Sequence, residues 1–150
     1  KETEDTKWGL KHLNGLREMK LKIWGSPWTC TFPGINPKCT AFTLENDQDL
    51  SKKWDLIPND VDILVTHGPA YLILDETERG NCVGSQSLFG EMANRIKPKL
   101  HVFGHIHEQG GKSMVFKRPG YGTENNTICV NASQMNEKYR PVNNPVIIKL

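Results

Sequence analysis

The order of apolar and polar positions along the chain predicts short strands separated by loops and helices. Residues 19–25, MKLKIWG, alternate apolar with basic side chains, a period of two that is typical of a half-exposed strand. The segment VDILVTHGP instead contains an unbroken apolar run, Ile63 to Val65, as in a strand that is covered on both faces. Further strands are predicted over residues 99–104, 127–133 and 145–150.

Two segments carry apolar residues at helical spacing. The first covers residues 43–58, with Thr43 as a plausible N-cap and a proline at its end. Its apolar stripe consists of Leu50, Trp54 and Ile57. The second covers residues 84–98 and also ends at a proline. Its apolar positions are Leu88, Phe89, Met92, Ala93 and Ile96.

A strand, a loop, a helix and a second strand follow one another from Asp62 to Gly104. This order is a βαβ unit, in which the two strands should be parallel neighbours. The chain therefore predicts an α/β fold with additional strands that can pair antiparallel.

Composition narrows the class of protein. With 150 residues, 37% of them apolar and 24% charged, the chain is typical of about one globular domain. Its 19 basic and 17 acidic residues give a net charge of +2, and the basic residues are scattered, which excludes a nucleic-acid or anionic-membrane footprint. Residues 1–19 are polar, lack the apolar core of a signal peptide and start abruptly, as at a truncation point. We expect a cytoplasmic protein.

The cysteines form neither a C-x-x-C motif nor a zinc-finger spacing with histidine. Reduced structural thiols are therefore the simplest interpretation. Cys30 and Cys39 are close enough in sequence to bridge a loop, and the sequence leaves that alternative open.

Two of the predicted strands end in histidine: DILVTHG at His67, and LHVFGHIH at His105 and His107. Ligands bind at the carboxyl edge of parallel strands, and neighbouring strands lie about 4.8 Å apart. His67 and His105 can therefore approach one cation. Because positions i and i+2 of an extended segment face the same way, His107 should join them, with Gly104 leaving room for a turn. His101, inside the strand, is expected to be a packed structural residue.

The segments VTHGP and VFGHIHE resemble the last two blocks of the calcineurin-like metallophosphoesterases, whose closing signature is G-H-x-H. IWGSPW, KWDLIPNDVDILVTHGP, KPKLHVFGHIHEQGG and VNAS resemble the metallophosphoesterase-domain-containing branch, which is linked to cyclic-nucleotide phosphodiesterases. The resemblance runs from about Lys20 to Leu150. It implies an α/β sandwich with two divalent metal ions (manganese favoured, with magnesium, zinc or iron as alternatives) that activate water for attack on phosphorus.

Carried over by position, His67 and His105 would bind one metal and His107 the other. The earlier blocks of the family have no counterpart in this chain. There is no D-x-H and no G-D, and the only Gly-Asn, Gly80-Asn81, precedes a cysteine. The resemblance therefore implies that residues 20–150 are the C-terminal half of such a domain, and that the family's catalytic histidine, in its G-N-H block, lies outside this chain.

The implied function is metal-dependent hydrolysis of phosphodiesters by metal-activated water, with cyclic nucleotides favoured and an N-terminal half required. The alternative is a non-catalytic nucleotide-binding or protein-interaction module. A half-domain should also have an open sheet edge and exposed apolar faces, so that the chain dimerises or pairs with its missing half.

Two charged residues are candidates for binding substrate. Arg79 lies in the polar loop ETERGN, which the resemblance places over the nucleotide pocket of the family, and its guanidinium suits phosphate. Glu108 follows the histidines and is a candidate to orient a ligand or to contact substrate. The alternative for each is a solvated surface charge.

Overall fold

The computed structural model describes residues 20–31, 40–118, 120, 122 and 126–150. Within them are seven strands: β1 (Ile23–Ser26), β2 (Thr29–Cys30), β3 (Thr43–Leu44), β4 (Ile63–Thr66), β5 (Leu100–Phe103), β6 (Ser113–Phe116) and β7 (Thr127–Asn131). The helices are α1 (Asp47–Trp54), α2 (Gln86–Asn94) and a 3-10 turn, His107–Gln109.

The main sheet has the strand order β1-β4-β5-β7-β6, and β2 pairs with β3 in a separate small sheet. β1, β4, β5 and β7 run parallel, whereas β6 is antiparallel to β7. The α/β fold class is therefore confirmed, and the two strands of the predicted βαβ unit, β4 and β5, are parallel neighbours. No helix in the described part of the chain is long and apolar enough to cross a membrane.

The first helix begins later than the sequence pattern suggested. Its N-cap is Asn46, whose side-chain oxygen accepts a hydrogen bond from the backbone N–H of Asp49 at 2.9 Å. Thr43 lies in β3, so its assignment as the N-cap was wrong. The second helix is capped by Ser85, whose hydroxyl accepts from the backbone N–H of Leu88 at 3.1 Å.

The helices pack against one face of the main sheet. Alternate residues of a strand face opposite sides, and the face that carries Leu64 and Cys129 belongs to the core cluster. The helical stripes bury their apolar positions as the sequence predicts. These buried positions, each 2% exposed or less, are Leu50, Trp54, Ile57, Leu88, Met92 and Ile96.

The opposite face of the sheet is apolar and partly open to solvent. The strand register aligns one row of side chains across all five strands: Ile23, Ile63, Leu100, Ile128 and Val115. The ends of this row are exposed, with Ile23 at 66% and Val115 at 48%. We call this row, together with Val65 in the next register position, the open face.

The strands near the C-terminal part of the sheet differ from the sequence pattern. Residues 145–150 do not form a strand: Ile147 is 88% exposed, and β6 occupies the edge beside β7. The antiparallel partner of β7 is instead β6, whose sequence SMVF is too short and too mixed in polarity to stand out as a strand.

Candidate metal centre

His67 and His105 meet at the carboxyl edge of the main sheet. The Nε2 atom of His67 lies 2.9 Å from the Nδ1 atom of His105, and the ring centroids are 4.6 Å apart. His67 follows β4 directly, and His105 follows β5 after one glycine. The parallel pairing of these two strands is therefore what brings the two imidazoles together, as the sequence predicts.

The turn that carries His105 is strained and closely packed. His105 has a positive φ of 72°, a left-handed backbone conformation that is uncommon for a residue with a side chain. A Cβ atom at Gly104 would lie 3.1 Å from the hydroxyl of Ser133, so a side chain there would crowd this turn. The amide of Asn131, which is fully buried, donates to the carbonyl of Ile106 at 2.8 Å. Strained turns of this kind occur at ligand-binding sites, where the surrounding structure holds them in place.

Both rings of the pair favour the neutral form. Partial burial lowers the pKa of His67. Burial, followed by repulsion from the neighbouring His67 and His107, lowers the pKa of His105 to about 4, although Glu108 acts in the opposite direction. A neutral imidazole keeps a nitrogen lone pair, which is the form that binds metal ions.

His107 does not join the pair in the way the sequence pattern predicts. The left-handed turn at His105 and the 3-10 turn that begins at His107 end the extended backbone, so positions i and i+2 no longer face the same side. The Nδ1 atom of His107 lies 3.0 Å from the carbonyl oxygen of Asn136, and its ring packs edge-on against Tyr139. Because a carbonyl only accepts, Nδ1–H is the donor, and Nε2 keeps the lone pair of a ligand.

Two hydrogen bonds made by Thr66, the residue before His67, do not follow from the sequence pattern. The hydroxyl of Thr66 lies 2.6 Å from the carbonyl oxygen of Gly68 and 2.8 Å from Nε2 of His101. Thr66 is 4% exposed, and His101, fully buried as the sequence suggested, has no hydrogen-bond partner for Nδ1. These two hydrogen bonds link the residue before His67 to the carbonyl of the residue after it. They therefore hold the turn that carries the His67 ring.

The polar loop that contains Arg79 is folded around a buried carboxylate. Asp75 is 2% exposed, and its Oδ2 atom accepts from the backbone N–H groups of Leu72 and Gly84 at 3.0 and 2.9 Å. No apolar pattern marks this aspartate in the sequence. Its position between the two loop ends explains why a long polar segment keeps one defined conformation.

Arg79 and Glu108 lie on neighbouring segments. A carboxylate oxygen of Glu108 accepts a long hydrogen bond of 3.4 Å from the backbone N–H of Glu78. The side chain of Gln109 donates to the carbonyl of Glu76 at 2.8 Å, which ties the same two segments together. Arg79 is exposed and makes no hydrogen bond or ion pair within the described ranges. Its side chain is therefore exposed to solvent, on the residue after Glu78, whose backbone N–H contacts Glu108.

The residues present fit one divalent cation better than two. Two neutral imidazoles in contact are a suitable donor pair for a single metal ion. Across residues 20–31, 40–118, 120, 122 and 126–150, however, no three His, Cys, Asp or Glu side chains come close enough to form a metal site. A bridging carboxylate is thus missing from the part of the chain that the structure describes.

No cysteine in the described part of the chain forms a cross-link at this centre. Among the described residues, Cys30, Cys82 and Cys129 are free thiols. Burial raises the pKa of Cys129 to about 12, so it stays protonated in the core. Cys39 lies outside the described residues, as do residues 1–19.

Comparison with known proteins gives relatives over most of the chain. "Metallophosphoesterase domain-containing protein 1" of Homo sapiens is 42% identical over 133 residues, which are 87% of this chain and 36% of that protein. The Mus musculus protein of the same name matches to the same extent. "UPF0046 protein T07D4.2" of Caenorhabditis elegans is 37% identical over 134 residues, or 87% of this chain and 29% of that protein. No family model matches the chain.

Proposed function

This chain belongs to the metallophosphoesterase-domain family, and on that premise we propose that it contributes to metal-dependent hydrolysis of phosphodiesters. The contact between His67 and His105 carries the proposal, because it places two neutral imidazoles 2.9 Å apart at the carboxyl edge of a parallel sheet. We assign these two residues to one metal ion and His107, through Nε2, to a second. A divalent cation would supply an activated water and offset charge on the transferring phosphoryl group.

The histidines do not complete a two-metal centre by themselves. Two dications about 3.5–4 Å apart repel each other strongly, and anionic ligands must offset that repulsion. The chain spans only about a third of the curated relatives it matches, 36% in the human protein. We therefore propose that the missing carboxylates come from outside these 150 residues, and that this chain alone binds at most one divalent ion, weakly.

The proposed substrate, metal ion, substrate contacts and cellular location each rest on a different observation. Cyclic nucleotides are the favoured substrates and manganese the favoured metal, because the sequence segments around the histidines resemble the branch linked to cyclic-nucleotide phosphodiesterases. Arg79 and Glu108 remain the proposed substrate contacts, since their segments pack together beside the histidine turn. The free thiols of the described cysteines agree with a reducing, cytoplasmic location.

Calorimetric titration with Mn²⁺ tests the ligand assignment. We expect one weak site in the 150-residue chain, and a loss of about tenfold or more in affinity for both His67→Ala and His105→Ala. His12→Ala, at a histidine for which no role is proposed, is the control and should bind as the unsubstituted chain does. Equal affinity in all four proteins would refute the assignment.

A second assay tests the incomplete centre. The 150-residue chain alone should not hydrolyse bis(4-nitrophenyl) phosphate with Mn²⁺. A longer polypeptide that includes D-x-H, G-D and G-N-H blocks upstream of Lys1 should hydrolyse it. Robust hydrolysis by residues 1–150 alone would contradict the incomplete centre.

The alternative function, a non-catalytic binding module, is favoured by one observation: only two of the three histidines are in contact. In that case the longer polypeptide would bind nucleotide but would not hydrolyse the phosphodiester at any Mn²⁺ concentration.

A further inference from the structure

Residues 134–143 form a closed turn that packs on the segment carrying the histidines. The carbonyl of Gln134 accepts from the backbone N–H groups of Val142 and Asn143 at 3.0 and 3.2 Å, which joins the two ends of the segment. Its tip, residues 137–140, is exposed to solvent. The segment is therefore closed by hydrogen bonds at its base, and we call it the 134–143 turn.

Asn136 holds the inside of this turn through both its side chain and its backbone. Its Oδ1 atom accepts from the backbone N–H groups of Lys138 and Arg140, each at 3.0 Å. Its own N–H donates to the carbonyl of Arg140, and its carbonyl accepts from the N–H of Tyr139, each at 2.9 Å. Tyr139 has a positive φ of 56°, which is uncommon for a residue with a large side chain. Four hydrogen bonds from one half-buried asparagine therefore hold a backbone conformation that costs free energy.

The turn is also packed tightly on the backbone that follows His107. A Cβ atom at Gly110 would lie 2.6 Å from the carbonyl oxygen of Ser133 and would collide with the side-chain nitrogen of Asn143. That nitrogen donates to the same carbonyl at 3.0 Å. The two segments can approach this closely because residue 110 is a glycine. The 134–143 turn is therefore held beside the histidine segment by a contact that does not involve the ring of His107.

The ring of His107 contacts two groups of this turn. Its Nδ1 atom lies 3.0 Å from the carbonyl oxygen of Asn136, and the ring of Tyr139 packs edge-on against it with the centroids 5.2 Å apart. A neutral imidazole carries its proton on either nitrogen, and the hydrogen bond that one nitrogen makes decides which. Because the carbonyl oxygen can only accept, it keeps the proton on Nδ1 and leaves the lone pair on Nε2.

We propose that Asn136 is a positioning residue for His107. Its Oδ1 atom holds the turn that carries the Asn136 carbonyl, and this carbonyl keeps His107 in the Nδ1–H tautomer before any metal ion is bound. Nε2 is then available as a ligand without a prior shift of the proton. The use of Nε2 for the second metal ion rests on the proposed function, whereas the tautomer is a property of the metal-free protein.

Nuclear magnetic resonance of the imidazole nitrogens tests this proposal in the metal-free chain at pH about 8.5, where an ordinary histidine is neutral. In wild type, Nδ1 of His107 should carry the proton and Nε2 should not. Asn136→Ala should convert this single tautomer into a mixture, because the turn loses the two hydrogen bonds of Oδ1. Asn136→Asp keeps an acceptor in the same place and should retain the wild-type tautomer. Asn144→Ala, at an exposed asparagine whose side chain makes no hydrogen bond within the described ranges, is the matched control.

Three results would overturn the proposal. A proton on Nε2 of His107 in wild type would do so without any variant. The wild-type tautomer in a folded Asn136→Ala protein would mean that the asparagine serves the stability of the turn only. Tyr139→Gly keeps the carbonyl of Asn136 and fits a positive φ without strain, so it should retain the tautomer. A mixture of tautomers in Tyr139→Gly would assign control of the ring to the tyrosine instead.

Metal binding separates this proposal from the proposed function. In the 150-residue chain, Asn136→Ala should leave the Mn²⁺ affinity unchanged, because that site is assigned to His67 and His105. In the longer polypeptide it should weaken binding of the second ion by about tenfold. If wild type and Asn136→Ala bind both ions equally well there, Asn136 does not position a ligand, and this proposal is overturned while the metal function stands. If the tautomer changes as expected but the longer polypeptide binds no metal ion, the metal function fails and the control of the His107 ring by Asn136 stands.

Discussion

The ring of His101 and the hydroxyl of Thr66 are hydrogen-bonded across two neighbouring parallel strands at 2.8 Å. The hydroxyl has a single proton, and the carbonyl of Gly68, 2.6 Å away, can only accept. The proton of Thr66 is therefore donated to Gly68, and Nε2–H of His101 is the donor to Thr66. Nδ1 of His101 is left as a buried acceptor without a partner. The two hydrogen bonds of the Thr66 hydroxyl link β5 to the carbonyl of Gly68, the residue after His67.

Thr66→Val should weaken metal binding more than its effect on stability alone would explain. The substitution keeps the shape of the side chain but removes the hydroxyl, so the turn that presents His67 loses its anchor. We expect Mn²⁺ affinity to fall by about tenfold and Thr66→Ser to retain most of it. Calorimetry on protein shown to be folded by circular dichroism measures the effect. Equal affinity in Thr66→Val and wild type would mean that the hydroxyl serves the fold only.

His101 should make the protein less stable as the pH falls below about 6.5. Burial lowers the pKa of His101 to about 3, so the unfolded chain takes up a proton that the folded chain does not. Its register neighbours, Leu64 and the protonated thiol of Cys129, carry no charge that would reverse this effect. The free energy of unfolding should decrease by up to about 1.4 kcal/mol per pH unit from this residue between pH 6 and 4.

Urea unfolding at pH 7.5, 6 and 5 measures this dependence. His101→Gln and His101→Leu should both have a shallower dependence than wild type, although both should be less stable at pH 7.5. His67 and His105, whose pKa values are also lowered by burial, leave a residual slope of the same sign. If both variants followed the slope of wild type, His101 would not be the source.

Ser85→Ala should destabilise the contact between the two helices. The hydroxyl of Ser85 caps α2, accepts from the indole of Trp54 and donates to Asp47, so one substitution removes three hydrogen bonds. We expect the free energy of unfolding to fall by about 2–3 kcal/mol. Ser113→Ala, at an exposed edge-strand serine, is the matched control and should change it by less than about 0.5 kcal/mol. A smaller loss for Ser85→Ala than for this control would contradict the interpretation.

The open face should make the isolated chain associate with itself. Leu100, at the middle of the row, is buried, but Ile23 and Val115 leave exposed apolar side chains at both edges of this face in the described structure. Sedimentation velocity should show species larger than the 17.0 kDa monomer at high concentration, and Ile23→Lys with Val115→Lys should shift them toward monomer. Ile147→Lys, at a residue that is more exposed but lies outside the open face, should not do so. A cooperatively folding monomer at every concentration would count against the half-domain interpretation.

Regular structure made the contact between His67 and His105 predictable. An apolar run, a helical stripe and a second apolar run define a βαβ unit. Parallel pairing then brings the carboxyl ends of the two strands together, independently of the conformation of the intervening loop. The N-cap of α1 is also predictable from the sequence, because Asn46 is a favoured N-cap residue and lies three residues before Asp49, whose N–H it caps. Thr43 was assigned instead because both residue types are favoured at this position.

Irregular backbone was not predictable in the same way. The orientation of His107 depends on a left-handed His105 and on the carbonyl of Asn136, 29 positions further along the chain. Neither follows from a local pattern of apolar residues. Residues 145–150 have a strand-like composition, but a strand also needs an edge to pair with, and that edge is taken by β6.

The open face and the histidine edge point in different directions from the same sheet. A substitution at Ile23 or Val115 changes what can cover the sheet without touching His67 or His105, and a substitution at a strand end does the reverse. The surface that covers the sheet and the edge that carries the histidines can therefore vary independently of each other among related sequences.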